Sequence, residues 1–143
     1  MQALSKEQAV QIRSQPFYFP QGLPGLEEHH YFSLELVSEP VFFLMRSTQR
    51  EEVALYLADP FPFFPDYQVD LSDREKEQLQ LERREDLLLL TTVTILEKKL
   101  YTNLAAPVLF NLPQRQAFQM ILEDRLHQKR VPLLESTPGE ASL

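Results

Sequence analysis

Cysteine is absent from this 143-residue chain, so neither a disulfide framework nor a thiolate metal site is available to it. Histidine is scarce. His29 and His30 are adjacent, so on a strand they point to opposite faces and do not easily share a metal, and His127 stands far down the chain. Glycine is reduced to three residues, and two of them, Gly22 and Gly25, sit in one loop. There is no P-loop, no Gly-rich dinucleotide turn and no G-x-S-x-G. Long apolar runs are missing too. Leu87 to Leu90, continued through threonines to Leu96, falls far short of the roughly 20 residues of a bilayer span. Met1 to Gln11 alternates polar and small residues and has no apolar signal-peptide core. The expectation is a soluble cytoplasmic protein without a membrane partner.

Positive charge is short in the first half. Residues 1–70 hold four basic residues against ten acidic ones, while residues 71–143 hold ten against eleven, and the whole chain stands at −7. Such a surface repels phosphate backbones, which argues against direct nucleic-acid binding, and it favours a basic partner. The same surplus also serves solubility. The acids Asp59, Asp66, Asp70 and Asp73 do not follow the spacing of a calcium loop and read as solvated turn carboxylates. No spacing singles out a carboxylate pair for acid–base work, so no catalytic residue, metal site or cofactor is assigned.

What the sequence does have is Asp59-Pro60-Phe61-Pro62-Phe63-Phe64-Pro65-Asp66-Tyr67. Three prolines with fixed φ and no N–H exclude a helix interior or a central strand. Three phenylalanines, each able to bury roughly 150–250 Å², either plug the core from a loop or form a docking surface.

Around it, apolar alternation suggests about eight short strands. These are Val10–Phe19, His30–Leu36, Val41–Met45, Val53–Leu57, Gln68–Leu71, Leu87–Leu96, Val108–Phe110 and Phe118–Leu122. Leu23-Pro24-Gly25 fits a type II turn, with Gly25 supplying positive φ. Ser72-Asp73-Arg74-Glu75 is a capping box that starts one surface helix, Asp73 to about Leu81. Leu100 to Ala106 reads as a loop closed by Pro107, and the last two strands pair across Asn111–Gln116. Without βαβ alternation or a repeat, the economical fold is all-β and mainly antiparallel: a small barrel-like domain over residues 1–124, with a flexible tail over 125–143.

These stretches resemble the flagellar assembly factor FliW family. Phe19–Glu27 is similar to its opening motif, Asp59–Tyr67 to its central motif, Thr94 with Thr102–Val108 to its late motif, and Gln119–Leu122 to its closing strand. They occur in the family's order over roughly residues 10 to 124. The chain departs from the pattern at Leu26, where an aromatic is usual, and at Glu97–Tyr101, which lacks an acidic-proline character. The resemblance implies a non-catalytic, monomeric β-barrel-like protein without a cofactor. It would bind flagellin and the RNA-binding translational regulator CsrA, relieving CsrA repression of flagellin translation. The partner-binding residues expected on this basis are Phe64, Asp66, Tyr67, Tyr101, Thr102, Asn103, Ala106 and Pro107. Asp66 supplies charge, Phe64 and Tyr67 supply apolar anchoring, and Asn103 either bonds a partner's backbone or closes its own turn. Beside the Thr102–Pro107 loop, the Phe-Pro stretch reads as a rigid cap with its rings mostly inward. The alternative reading is a small-ligand-binding β-barrel or an uncharacterised hydrolase, for which a deep apolar pocket with convergent polar groups is the mark.

Overall fold

The structure is a computed structural model that describes Ile12 and residues 15–38 and 41–133. Among the described residues there are nine strands: β1 (Phe17–Tyr18), β2 (Tyr31–Ser38), β3 (Phe42–Ser47), β4 (Ala54–Ala58), β5 (Leu87–Leu96), β6 (Lys99–Thr102), β7 (Val108–Asn111), β8 (Gln116–Gln119) and β9 (Val131–Pro132). The α-helix α1 (Asp73–Gln78) and 3-10 segments at Arg84–Asp86 and Glu123–Gln128 stand beside them.

The strands form one sheet in the order β4-β3-β2-β1-β8-β7-β5-β6-β9, and a further β4–β5 pairing closes it on itself. Every pairing is antiparallel except that of β1 with β8. The fold is therefore mainly antiparallel β and ring-like. Strand β5 holds the ring together. Its first half, Leu87–Leu90, pairs with β7, Thr91–Val93 pair with β4, and Val93–Leu96 pair with β6. Strands β6 and β7 thus follow one edge of β5 in succession, and the chain between them loops outward.

Two apolar clusters explain why β5 reads as an unbroken leucine run. Strand side chains alternate between faces, so a strand covered on both sides needs no polar positions. Leu88 and Leu90 of β5, Val108 and Phe110 of β7, and Ala117 of β8 join Phe17, Phe32, Phe43, Met45 and Leu57 from the remaining ring strands in the first cluster. That cluster fills the ring. Leu89, Leu109 and Phe118 point the other way and join Tyr67, Val69, Leu79, Leu104 and Met120 in a second cluster on the outer face. Phe17, Phe19, Phe32, Phe43 and Phe110 are wholly buried. Each such ring contributes roughly 1.5–3 kcal/mol of burial, and edge-to-face contacts of 5.0 Å (Phe17–Phe110) and 5.3 Å (Phe19–Phe32) orient them.

Local signals set the connections. Leu26 N–H donates to Leu23 O at 2.8 Å with Gly25 at φ 81°, the expected type II turn. A Cβ on Gly22 (φ 65°) would come within 3.0 Å of Glu27 Cα. The capping box on α1 is complete: Ser72 Oγ accepts from Glu75 N–H at 3.2 Å, and Glu75 Oε1 accepts from Ser72 N–H at 2.7 Å.

Several elements differ from the sequence expectation. Helix α1 stops at Gln78 rather than near Leu81, because Gln80 adopts φ 56° and a Schellman turn closes the helix through Gln80 N–H to Glu77 O and Leu81 N–H to Lys76 O. Gln68–Leu71 is not a strand: Val69 and Leu71 lie in loop and pack onto the second cluster. Of Val10–Phe19, only Phe17–Tyr18 is strand among the described residues, while Ile12 is helical and buried in the ring; residues 10, 11, 13 and 14 lie outside the described residues. The stretch read as a loop from Leu100 begins as strand β6. Beyond residue 124 the chain continues into β9, which pairs with β6, and Leu133 is buried. The packed unit therefore extends to Leu133, and residues 134–143 lie outside the described residues.

Candidate functional site

The Asp59–Tyr67 segment leaves β4 with Asp59 buried and its carboxylate accepting from Phe61 N–H at 3.1 Å. Pro60 O then accepts from both Phe63 N–H (3.0 Å) and Phe64 N–H (2.8 Å), and Phe64 O from Tyr67 N–H (3.0 Å). These bonds wind the loop tightly, so the prolines lose nothing by lacking donors. Phe61 and Phe64 pack onto the second cluster, and Phe63 meets Phe42 with ring centroids 6.2 Å apart. Two of the three rings, Phe61 and Phe64, thus turn onto the sheet, each half-buried. The layer they join, however, lies on the outside of the sheet and not across a mouth of the ring.

The second loop, Asn103–Pro107, bulges from the edge of β5 between β6 and β7. Thr102 Oγ1 donates a hydrogen bond and lies 2.6 Å from Thr91 Oγ1 and 2.7 Å from Thr92 O, which pins the loop's base. Asn103 Oδ1 accepts from Ala105 N–H at 3.0 Å, so the asparagine closes its own turn. Leu104 N–H donates to Gln128 O and Leu122 N–H to Ala105 O, tying the loop to the 3-10 segment. Gln119 Nε2 donates to Ala106 O, and Met120 N–H to Pro107 O.

Tyr67 joins the two loops. Its phenol donates to Leu104 O at 2.7 Å, its ring lies 5.9 Å from that of Phe61, and the Arg125 guanidinium sits 5.2 Å over its face. Burial pushes the phenol up to about 12, against the opposing pull of the Arg125 charge.

The eight expected partner residues thus fall into two groups. Phe64, Tyr101 and Asn103 are half-buried and Asp66 is exposed, so a partner can reach them. Tyr67, Thr102, Ala106 and Pro107 are buried, and their contacts hold the two loops in place. Tyr67 in particular is 7% exposed, and its hydroxyl and ring make contacts within the chain. Sequence reasoning missed Arg125 and Gln128, which brace these loops from a segment without periodicity. No local signal in the sequence connects them to residues 67 and 104.

Elsewhere, Nδ1 of His29 lies 2.8 Å from Ser47 Oγ and Nδ1 of His30 lies 2.8 Å from Phe19 O, so the adjacent histidines serve different partners. An open groove of about 390 Å³ is lined by the apolar Val69, Leu71, Leu81 and Leu87 and by charged groups of both signs, among them Asp70, Lys76, Glu82 and Arg84. It lies outside the ring, whose interior is filled by the first cluster. No helix among the described residues is long and apolar enough to cross a membrane.

The family model described as FliW protein matches residues 4–133, which takes in every element above. The chain belongs to the FliW family. FliW relatives agree with this over most of their length. A flagellar assembly factor FliW from Anoxybacillus flavithermus is 33% identical over 121 residues, covering 83% of each chain. One from Bacillus licheniformis is 36% identical over 122 residues, covering 83% of this chain and 85% of its own. A crystal structure of the flagellar assembly factor FliW superposes with a TM-score of 0.77 at 28% identity, covering 94% of this chain and 91% of the other.

Proposed function

We propose that this chain is a non-catalytic flagellar assembly factor that acts in the cytoplasm by binding flagellin and the translational regulator CsrA. Bound to CsrA, it relieves repression of flagellin translation; flagellin competes for it and so closes a homeostatic loop. Membership of a family whose relatives are named flagellar assembly factors carries the reading. The geometry supports it, because the Tyr67–Leu104 bond makes one continuous, stiff surface of two loops that lie 37 residues apart in sequence. A surface held in advance loses little entropy on binding. Phe64, Asp66 and Asn103 are its accessible members, and the acidic character of the first half suits a basic partner.

A small-ligand barrel is less well supported. Its ligand belongs inside the ring, where Phe17, Phe19, Phe32, Phe43 and Phe110 already fill the space. The test is co-purification of the tagged chain with flagellin and with CsrA at low salt. Retention of both is expected, and retention of neither removes the adaptor reading.

A further inference from the structure

The ring is closed weakly at one place. Strand β1 is two residues long, and its link to β8 is the parallel pairing of Tyr18 with Gln116. Parallel pairing is slightly less stable per residue than antiparallel. On its other side β1 meets Tyr31 and Phe32 at the start of β2. Strand β2 runs on to Ser38, held by β3 along the opposite edge. Among the described residues, no strand pairs with the β1-side edge of β2 beyond Phe32. The chain ahead of β1 is ill suited to extend the ladder there, because Pro16 has no N–H to give.

Arg115, in the turn between β7 and β8, closes this seam. Its carbonyl accepts from Tyr18 N–H at 2.8 Å. Its side chain reaches the residues that lead into β1. Nη2 donates to Gln15 O at 2.6 Å and to Ile12 O at 3.1 Å, while Nη1 donates to Leu112 O at 3.1 Å. The guanidinium carbon lies 4.2 Å from the centre of the Phe17 ring. The planar fork serves three carbonyls at once, which a lysine cannot do. Ile12 and Phe17, the apolar side chains beside this tie, are buried in the first cluster.

The clasp is rich in hydrogen bonds and poor in charge. Arg115 makes no ion pair among the described residues, and its Nε is buried without a hydrogen-bond partner. A cation held only by neutral groups regains full hydration on release, which lowers the cost of letting go. Elements with little pairing of their own open locally, ahead of the global transition.

We propose that β1 and the residues leading into it form a strap that opens as one unit while the rest of the ring stays folded, with Arg115 as its clasp. Release uncovers Phe110, which Phe17 meets edge-to-face, and lengthens the free edge of β2 by Tyr31 and Phe32.

The experiment is native-state hydrogen exchange on the full chain, followed by NMR across low urea concentrations. The Tyr18 and Phe19 amides, bonded to Arg115 O and His30 O, are compared with the strand amides of β5 and β7. Tyr18 and Phe19 are expected to exchange about a hundredfold faster, with almost no dependence on urea, while β5 and β7 follow global unfolding. Arg115→Lys, which keeps the charge and loses the fork, should quicken Tyr18 and Phe19 about tenfold. Tyr67→Phe, which weakens the body of the fold, should quicken β5 and β7 and leave Tyr18 and Phe19 at their wild-type rates. Equal protection and equal urea slopes in the wild type overturn the strap, and that comparison stands even if a variant does not fold. Faster exchange of Tyr18 and Phe19 in Tyr67→Phe overturns it as well. Wild-type rates at these amides in Arg115→Lys overturn the clasp.

Discussion

The phenol of Tyr67 and the carbonyl of Leu104 meet at 2.7 Å, and this bond fastens the Phe-Pro loop to the loop between β6 and β7. Tyr67→Phe keeps the ring and its packing but leaves the Leu104 carbonyl buried without that donor. The expected cost is about 1–3 kcal/mol in chemical denaturation. Amide exchange at Leu104 and Ala105 should quicken, since the loop then rests on its remaining bonds to Gln128 and Asn103. Wild-type stability and exchange in this variant would make the bond incidental.

The same residue sets an alkaline limb. Tyr67 has a folded value of about 12, above the ordinary phenol value of about 10. Deprotonation therefore favours the unfolded chain. The contribution is complete below about pH 10 and is lost as pH rises through about 12. Urea midpoints measured across that window should fall more steeply for wild type than for Tyr67→Phe. A constant gap between the two curves contradicts the burial of the phenol.

Gln80 occupies the left-handed position that ends α1, at φ 56°. Left-handed backbone costs a non-glycine residue roughly 1–2 kcal/mol, and glycine returns part of that through its unfolded-state freedom. Gln80→Gly should stabilise the protein by about 0.5 kcal/mol, read as a raised urea midpoint without a change in slope. A loss of stability would mean that the glutamine side chain has a contact of its own.

The sequence made some elements legible for definite reasons. The β-branched run Thr91–Ile95 marks β5 over its observed span, and Ser72 with Glu75 marks the start of α1. The glycine pair marks the turn between β1 and β2. Strand β6 escaped notice because the β5–β6 hairpin turns at Glu97 and Lys98, both with positive φ (49° and 67°), where Asn-Gly or Asp-Gly is the usual signal. The end of α1 escaped for the same reason, with glutamine in place of glycine. Strand β9 is two residues long and contains Pro132, so only its pairing with β6 reveals it. At the site, residue identity pointed to both loops, but it did not separate the residues that brace them from those that face outward. That division depends on burial from distant segments: Arg125 over Tyr67 and Gln119 on Ala106.

Asp66 is the exposed acid of the first loop. Asp66→Lys replaces attraction with repulsion toward a basic partner without disturbing a packed group. It should weaken CsrA binding about tenfold or more while the melting temperature stays within about 1–2 °C. A parallel fall in binding and stability would assign Asp66 to the fold.

If one small protein is shared between two partners, occupying it with one releases the other. This exchange is tested most directly by titrating CsrA into this chain with and without saturating flagellin. The adaptor account predicts a clear rise in the apparent Kd for CsrA when flagellin is present, whether through overlapping surfaces or coupled ones. An unchanged Kd, with flagellin retained in a ternary complex, would contradict it.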